Sequence, residues 1–481
     1  MVSQLDNGAF APIDHAVALA DAAQPVYGAS NASTRARLLR GLADALEAQA
    51  PALIALADEE SGLGTARLTG ELARTAYQLR GFADDVERGV PFHQIDDAAV
   101  AGAPPAGRPH LTRVFAPLGP VAMFSASNFP FAFSVLGGDT AAALAAGCVV
   151  IVKPHAGHPE LSRRVFALAA DVVRAQGLPE GVLTFVGQTS REGGTHLVSH
   201  PVVSAVAFTG SYQGGVALWR AANARVRPIP FFGELGSINP LVVLPAALAD
   251  GTEAPAKALA ASITMGCGQF CTSPGLLLVS DDKEGEQFVV DLAAALASQT
   301  PHRMLTPAIR SGFEAASAHV ASQTGVRTRL APSTGADTAT PAPRLYEIDA
   351  DAFLAQPALR EEMFGPAALV VRVKSHDDLL RVLAAVEGTL TVTLWGALDD
   401  TAQHRALAAA AEQIGGRVLF GGVPTGVAVC HAQQHGGPWP ASTHPQSTSV
   451  GYAAIERFLR PVALQDAPDW YLDARRGGLP A

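Results

Sequence analysis

Three side chains sit in settings that suit acyl chemistry: a cysteine, a glutamate and an asparagine. Cys271 lies in M-G-C-G-Q-F-C-T-S-P-G (Met265–Gly275), among glycines and a proline and just before an apolar run. Inert buried cysteines usually sit inside apolar runs, as Cys148 does in A-A-G-C-V-V-I-V. Cys271 therefore reads as a nucleophile on an exposed turn. A free thiol with pKa near ~8.5 is only a few per cent thiolate at neutral pH, so it needs assistance. Glu234, in F-F-G-E-L-G-S-I-N-P (Phe231–Pro240), is a lone carboxylate in an apolar, glycine-rich run. It is either an exposed loop residue or a partly desolvated general base. Asn128, in F-S-A-S-N-F-P-F (Phe124–Phe131), is either a turn residue or an amide that donates to an oxyanion. A fourth segment, V-A-F-T-G-S-Y-Q-G-G (Val206–Gly215), passes from strand through Gly-Ser to a helix start. That order suits a pyrophosphate held by backbone N–H groups and a hydroxyl. It is not G-x-G-x-x-G, so alone it is a weak dinucleotide signal.

The elements that must position these groups follow an α/β plan. The first hundred residues read as helix, at Asp14–Ala23, Thr34–Ala50 and Pro51–Leu63, with Ser33-Thr34 as a cap for the second. After a turn-rich passage, Ala101–Pro109, strand-like runs alternate with helices. The strands fall at Pro120–Phe124, Cys148–Val152, Val182–Val186 and Val203–Phe208, and the helices at Gly138–Ala146, His158–Gln176 and Arg191–His200. A second alternating region, Asn239–Gly436, holds strand-like Leu241–Leu244, Gly275–Val279, Leu369–Val373, Thr391–Trp395 and Arg417–Phe420. Thr324–Pro343 reads as a surface loop. Such alternation predicts mostly parallel sheets.

Composition agrees with a multidomain globular protein. The chain has 481 residues, 48% hydrophobic and 16% charged. A net charge of -10 favours neither nucleic acid nor an anionic membrane. The N-terminus lacks a positive start and an apolar run, so a cytosolic location is expected. Four cysteines, Cys148, Cys267, Cys271 and Cys430, are too few for a disulfide framework, and reduced thiols are expected. His431 and His435, and His196 and His200, each stand four apart, a spacing that can bind zinc on a helix. Both groups border Gly/Pro turns, so no metal is expected.

The four chemical segments, in this order, resemble the aldehyde dehydrogenase superfamily over nearly the whole chain. The shared motifs are S-N-F-P (Ser127–Pro130), V-K-P (Val152–Pro154), F-T-G-S (Phe208–Ser211), E-L-G (Glu234–Gly236), G-Q-x-C (Gly268–Cys271) and E-M-F-G-P (Glu362–Pro366). The resemblance implies that Cys271 attacks the aldehyde, that Asn128 and the Cys271 N–H hold the oxyanion, and that Glu234 activates water. It implies an NADP or NAD cofactor whose adenosine ribose lies by Lys153, with His155 and Ala156 beside it. Ser211, Gly210 and Gly215 would take the pyrophosphate, with Leu235 also in the cofactor's surroundings. Glu362 would position the nicotinamide ribose, and Phe364 would pack near the ring. The implied architecture is a Rossmann-type cofactor domain (residues 1–105 and 120–236), an α/β catalytic domain (237–440) and a small β bridging element for oligomerisation (106–119 and 441–481). A homodimer or homotetramer is implied.

Further stretches are similar to the α-ketoglutarate semialdehyde (2,5-dioxopentanoate) dehydrogenase branch: Ala126–Thr140, Gly268–Gly275, His435–Thr443 and Ser449–Val462. That branch includes NADP-dependent fatty aldehyde dehydrogenases, which leaves the aldehyde open. Phe129, Phe131, Phe270 and Trp439 are expected near the substrate mouth and suit either kind. The acidic residue usual three positions after the family lysine is replaced by Ala156, and Arg191 starts a helix where NADP-using relatives offer an arginine. Both features favour NADP. Cys267 is either a small buried thiol or an oxidation partner for Cys271. Two other readings compete. A non-catalytic scaffold has no need of Cys271, Glu234 and Asn128 together. A route to acyl-CoA has no need of a water-activating Glu234.

Overall fold

A computed structural model describes residues 10–187, 189–300, 302–331 and 340–476. Three sheets organise them. A small antiparallel sheet joins β1 (Ile95–Asp97), β2 (Leu111–Pro117) and the late strand β15 (Leu459–Gln465) in that order. A five-stranded parallel sheet contains β3 (Val121–Phe124), β4 (Val150–Lys153), β5 (Leu183–Phe185), β6 (Ala205–Thr209) and β7 (Phe231–Glu234), in the order β5-β4-β3-β6-β7. A seven-stranded sheet is built from β8 (Pro240–Val243), β9 (Leu276–Ser280), β10 (Arg327–Leu330), β11 (Arg344–Asp349), β12 (Ala367–Val373), β13 (Thr389–Trp395) and β14 (Gly415–Leu419). Its order is β10-β11-β12-β9-β8-β13-β14, parallel except for β10.

Helices cover both large sheets, so their inner strands are buried and apolar on both sides, as in V-A-M-F and V-I-V-K. The strand order of the five-stranded sheet reverses at β3. The chain moves outward to β4 and β5, then returns to β6 on the other side. A crevice opens at such a switch point, beyond the carboxyl ends of the strands. The segments that follow β3, β4, β6 and β7 carry Asn128, His155, Ser211 and Leu235.

Several expectations shift. The second helix, Ala32–Ala48, is capped by Asn31, whose side chain accepts from the Thr34 N–H at 2.9 Å, and not by Ser33-Thr34. Thr324–Pro343 is not all loop, because Arg327–Leu330 forms an edge strand; residues 332–339 lie outside the described set. The Glu234 segment is a buried strand, and the charged ends of Arg344–Asp349 mask another. The small sheet takes in Ile95–Asp97, ahead of the range expected for it. No described helix is long and apolar enough to cross a membrane.

Candidate active site

Cys271 lies between a strained turn and a strand. Gly266, Cys267 and Gly268 all have positive φ, at 54°, 61° and 65°. Cys267 is the one of the three with a Cβ, which carries a steric cost in this region. Gly268 is required by packing as well, since a Cβ there would come within 2.2 Å of the Gly365 backbone. This turn swings the chain so that Cys271 is half-buried rather than exposed as expected. Cys267 is buried in the core of the seven-stranded sheet, and burial pushes its thiol up to about 12.

Asn239 holds the cysteine loop from behind. Its amide donates to the carbonyls of Cys271 (2.8 Å) and Ser273 (2.9 Å), and its oxygen accepts from the Thr391 and Ser237 hydroxyls. It too has positive φ, 48°, a conformation that asparagine tolerates. Asn128 approaches from the other side. Its Nδ2 donates to the Gln269 carbonyl at 3.0 Å, and its own carbonyl accepts from Arg67 at 2.5 Å. One amide hydrogen of Asn128 is left for a ligand. The Cys271 backbone N–H faces its own sulfur.

Glu234 ends β7 and is 4% exposed. His435 Nε2 lies 3.0 Å from its Oε1, and the Ser449 hydroxyl donates to its Oε2 at 2.6 Å. The same His435 Nε2 is 3.5 Å from the Cys271 sulfur. An ionised carboxylate only accepts hydrogen bonds, so with Glu234 ionised Nε2 carries a proton. Burial pushes the Glu234 carboxyl up. The facing His435 and hydrogen bonds from His435, Ser449 and the Cys271 thiol outweigh it and hold the group below the usual carboxylate range. The Cys271 thiol moves the other way. Burial first, then the Glu234 carboxylate and more weakly Glu362, push it well above its ordinary value. The resting pair is thus a thiol facing a carboxylate, with one proton between them.

His435 was expected as half of a histidine pair with a metal-like spacing and as the start of the stretch His435–Thr443, not as a partner of Cys271. The pair divides: His431 turns to Asp85 at 2.8 Å, while His435 is 1% exposed beside Glu234 and Cys271. His196 pairs with Asp14 at 2.6 Å. The acid missing near His435 in sequence is supplied in space by Glu234. Among the described residues, Glu234, Cys271 and His435 form the one cluster with ligand atoms mutually within 4.8 Å. Each of the three already serves as a hydrogen-bond partner of another. Asn239, Ser449 and His435 were missed because their partners lie 32 to 215 residues away.

Most residues expected around a dinucleotide lie beyond the carboxyl ends of the five-stranded sheet, while Glu362 and Phe364 lie just ahead of β12 in the seven-stranded sheet. Ser211 caps the helix Tyr212–Asn223, accepting from the Gly214 N–H at 3.3 Å. Gly210 donates its N–H to the Glu234 carbonyl at 3.1 Å. Gly215 allows close packing, since a Cβ would meet Leu235 Cδ2 at 2.1 Å. The Leu235 side chain therefore supports the helix from behind. Lys153 ends β4, half-buried, and burial pulls its ammonium down; no described residue bonds it. His155 accepts from the Gly157 N–H at 2.9 Å and is pushed down to about 4 by burial, with His158 and Lys153 adding to it. Ala156 and Arg191 are exposed, and Phe364 is half-buried. Glu362 faces the Ser237 backbone N–H across a cavity also lined by Gly268 and Met363. Burial, with the Glu234 charge adding to it, pushes Glu362 up to about 8. An unbonded half-buried ammonium and a helix N-terminus at a switch crevice fit a pyrophosphate-bearing cofactor.

The expected aromatic mouth divides. Phe129 and Phe270 meet edge to face at 5.2 Å. Phe131 instead lies in the core, and Trp439 packs against Tyr212 and Trp219, beside the helix capped by Ser211.

Residues 1–437 match the model of the aldehyde dehydrogenase family. The chain is 46% identical over 459 residues to alpha-ketoglutaric semialdehyde dehydrogenase 2 of Azospirillum brasilense, covering 95% of this chain and 87% of that one. It is 37% identical to alpha-ketoglutaric semialdehyde dehydrogenase of Acinetobacter baylyi, covering 97% and 89%. Among solved structures, a variant of proline utilization A from Bradyrhizobium japonicum superposes with a TM-score of 0.80 at 25% identity. That match covers 96% of this chain but spans only 45% of the larger protein. PnpE, solved in complex with nicotinamide adenine dinucleotide, superposes with a TM-score of 0.78 at 24% identity, covering 95% and 90%. The chain belongs to the aldehyde dehydrogenase family, whose members use NAD(P).

Proposed function

We propose that the protein oxidises 2,5-dioxopentanoate to 2-oxoglutarate, with NADP preferred over NAD. The observation that carries the chemistry is the contact of Cys271, His435 and Glu234 in one buried cluster. The names of the two relatives above, each similar along almost the full chain, support the substrate.

The first step moves a proton within the cluster. The Cys271 thiol passes its proton to the facing Glu234 carboxylate, so the pair keeps one negative charge in a low-dielectric site. The His435 Nε2–H then donates to the thiolate. The sulfur adds to the aldehyde carbon, and the new oxyanion accepts from the Asn128 amide and the Cys271 N–H. Removing one such donor typically costs about 10²–10³ in rate. Direct hydride loss from an aldehyde would leave an acyl cation, whereas loss from the tetrahedral carbon leaves a thioester on Cys271. Bound NAD(P) supplies the hydride acceptor. Lys153, Ser211 and the first turn of Tyr212–Asn223 would hold it, with Arg191, His155 and Ala156 toward the adenosine end and Glu362 and Phe364 toward the nicotinamide end. Glu234, its proton released to solvent, takes a proton from water as that water attacks the thioester. The acid leaves and Cys271 recovers its proton.

A reducing compartment such as the cytosol keeps Cys271 competent. We also assign residues 106–119 and 441–481 to self-association, which the outward-facing edge strand β15 supports. Steady-state kinetics test the proposal with 2,5-dioxopentanoate and decanal, each with NADP and with NAD. A larger kcat/KM for decanal replaces the dioxo acid by a fatty aldehyde. Absence of turnover with every aldehyde leaves a non-catalytic protein.

A further inference from the structure

A row of aromatic rings leads away from the reactive sulfur. Phe270 adjoins Cys271, and Phe129 meets Phe270 and Phe133 edge-on, each at 5.2 Å. One face of the helix Thr65–Glu87 covers this row. Arg67, Glu71 and Arg74 stand four and then three residues apart, so they share that face. The Arg67 guanidinium lies 4.6 Å from the Phe270 centroid and 5.1 Å from that of Phe129, and it donates to the Asn128 carbonyl. The Arg74 guanidinium lies 5.6 Å from the Phe133 centroid, at the far end of the row.

The two arginines differ in what they hold. Arg67 donates from Nη2 to the Asn128 carbonyl and keeps Nη1 buried without a partner among the described residues. Arg74 is half-buried and makes no hydrogen bond or ion pair with any described residue. Its neighbour Glu71 is the charge that most favours the Arg74 cation, but Glu71 makes no hydrogen bond to it: Glu71 Oε1 accepts the Phe131 and Ala132 N–H groups, and burial pushes the Glu71 carboxyl up. The other guanidinium within reach of the Cys271 charge, Arg417, is tied to the Gly426 and Pro424 carbonyls. Phe133 clusters with Val450, whose neighbour Ser449 holds Glu234. Burial disfavours the Arg74 charge, while Glu71 first and then more weakly Cys271 and Glu234 favour it, which sets Arg74 within electrostatic reach of the reacting groups. A half-buried cation with no hydrogen-bonded partner among the described residues is costly, and an anionic ligand that accepts from it lowers that cost.

We infer that Arg74 binds the terminal carboxylate of the substrate and thereby selects aldehydes that carry an acid at the far end. This rests on the reading of the site as one that oxidises a dioxo acid, and it names the residue that recognises it. The five carbons of 2,5-dioxopentanoate span roughly 5 Å when extended. With the aldehyde at Cys271, the carboxylate lies along the Phe270–Phe129–Phe133 row, where a planar guanidinium can take both oxygens.

The test compares wild type, Arg74→Gln and Arg74→Lys on 2,5-dioxopentanoate, 5-oxopentanoate, 4-oxobutanoate and neutral pentanal. In Arg74→Gln the ratio of kcat/KM for the best acid to that for pentanal falls roughly ten- to hundredfold, mainly through KM, as for loss of a charge-assisted bond. Arg74→Lys recovers part of the ratio. Inhibition by glutarate weakens in parallel, a readout that needs no turnover of an acid. An unchanged ratio in Arg74→Gln overturns the inference, whether both activities fall together or neither falls. If wild type prefers 5-oxopentanoate or 4-oxobutanoate and Arg74→Gln still collapses the ratio, the inference stands and the dioxo acid reading fails.

Discussion

The Nε2 of His435 lies 3.5 Å from the sulfur of Cys271, and the same atom is 3.0 Å from Glu234. One imidazole proton is therefore shared between the group that attacks and the group that accepts the proton. His435→Asn removes a donor to the thiolate. We expect kcat to fall about 10²-fold, within the range of a positioned proton donor, with KM for the aldehyde little changed. Alkylation of Cys271 by iodoacetamide, followed against pH, provides a readout of the thiol itself. In the variant the rise in rate moves to higher pH, because the thiolate has lost a hydrogen bond. A variant that alkylates with the wild-type profile removes His435 from the mechanism.

Cys271 acts before hydride transfer, whereas Glu234 acts twice: it takes the thiol proton first, a role solvent can fill once the thiol is brought down, and it takes a proton from water afterwards, a role left empty in its absence. Cys271→Ala abolishes oxidation. Glu234→Gln gives one burst of reduced cofactor per site, after which turnover slows by about 10²–10⁴. The facing carboxylate pushes the Cys271 thiol up. Its removal brings the thiol down, so Glu234→Gln alkylates faster than wild type at neutral pH. Stopped-flow absorbance of the reduced cofactor checks the first expectation, and mass spectrometry of alkylated protein checks the second. Steady turnover by Cys271→Ala contradicts the assignment of the nucleophile.

Asn239→Asp tests the support of the cysteine loop. The substitution keeps the size and tolerates the positive φ, but it sets an acceptor against the carbonyls of Cys271 and Ser273. Asn239 is fully buried, so the loss is expected to destabilise the fold by about 3 kcal/mol or more. Denaturant melts measure this, and kcat falls with it because the loop shifts. A stability equal to wild type shows that water or a proton compensates.

Asn239 also illustrates what a sequence can disclose. The apolar runs of β3, β4, β8 and β9 are legible because strands buried on both faces need unbroken hydrophobic stretches. Cys271, Glu234 and Asn128 are conspicuous because each is a polar group in a glycine-rich or apolar setting. His435 and Arg74 carry no such local mark. His435 looks like one more histidine four residues from another, and Arg74 like one more surface arginine on an amphipathic helix. Their significance arises from a strand 201 residues away in one case and a ring of Phe133 in the other. The strand Arg344–Asp349 is hidden for another reason: Arg344 and Glu347 are buried charges, paired in part with Glu314, Ser317 and Arg327.

Substrate preference gives a prediction independent of Arg74. The wall of Phe129 and Phe270 is closed on one side by Arg67, whose charge lies over both rings. A long alkyl chain leaving the site must pass this guanidinium and desolvate it. We expect kcat/KM for 2,5-dioxopentanoate to exceed that for decanal by at least about tenfold, the equivalent of one 1.4 kcal/mol contact. A series of aldehydes of increasing length, in which kcat/KM rises with each methylene, contradicts this.

The proposed preference for NADP rests on three residues assigned to the adenosine end, Lys153, Ala156 and Arg191. A glutamate three positions after Lys153 would accept hydrogen bonds from the ribose hydroxyls and repel a 2′-phosphate. Ala156 stands there instead, exposed, so both the attraction for NAD and the repulsion of NADP are absent. Lys153 keeps an ammonium without a bonded partner among the described residues. Arg191 opens the helix Arg191–Ser199, exposed, with Ser190 as its cap. A guanidinium at that place can stack on adenine and bind phosphate together. Its neighbour Glu192 competes only weakly for it: the Glu192 carboxyl is held down chiefly by its own backbone N–H and by Ser190, with Arg191 a lesser cause. Each charge-assisted bond is worth about 1.5–3 kcal/mol, so two contacts shift selectivity toward NADP by about a hundredfold. Arg191→Ala raises KM for NADP and leaves KM for NAD nearly unchanged. Kinetics of both proteins with both cofactors check this. Equal or better use of NAD by wild type defeats the prediction, and an unchanged KM for NADP in Arg191→Ala leaves Lys153 and Ala156 as its only basis.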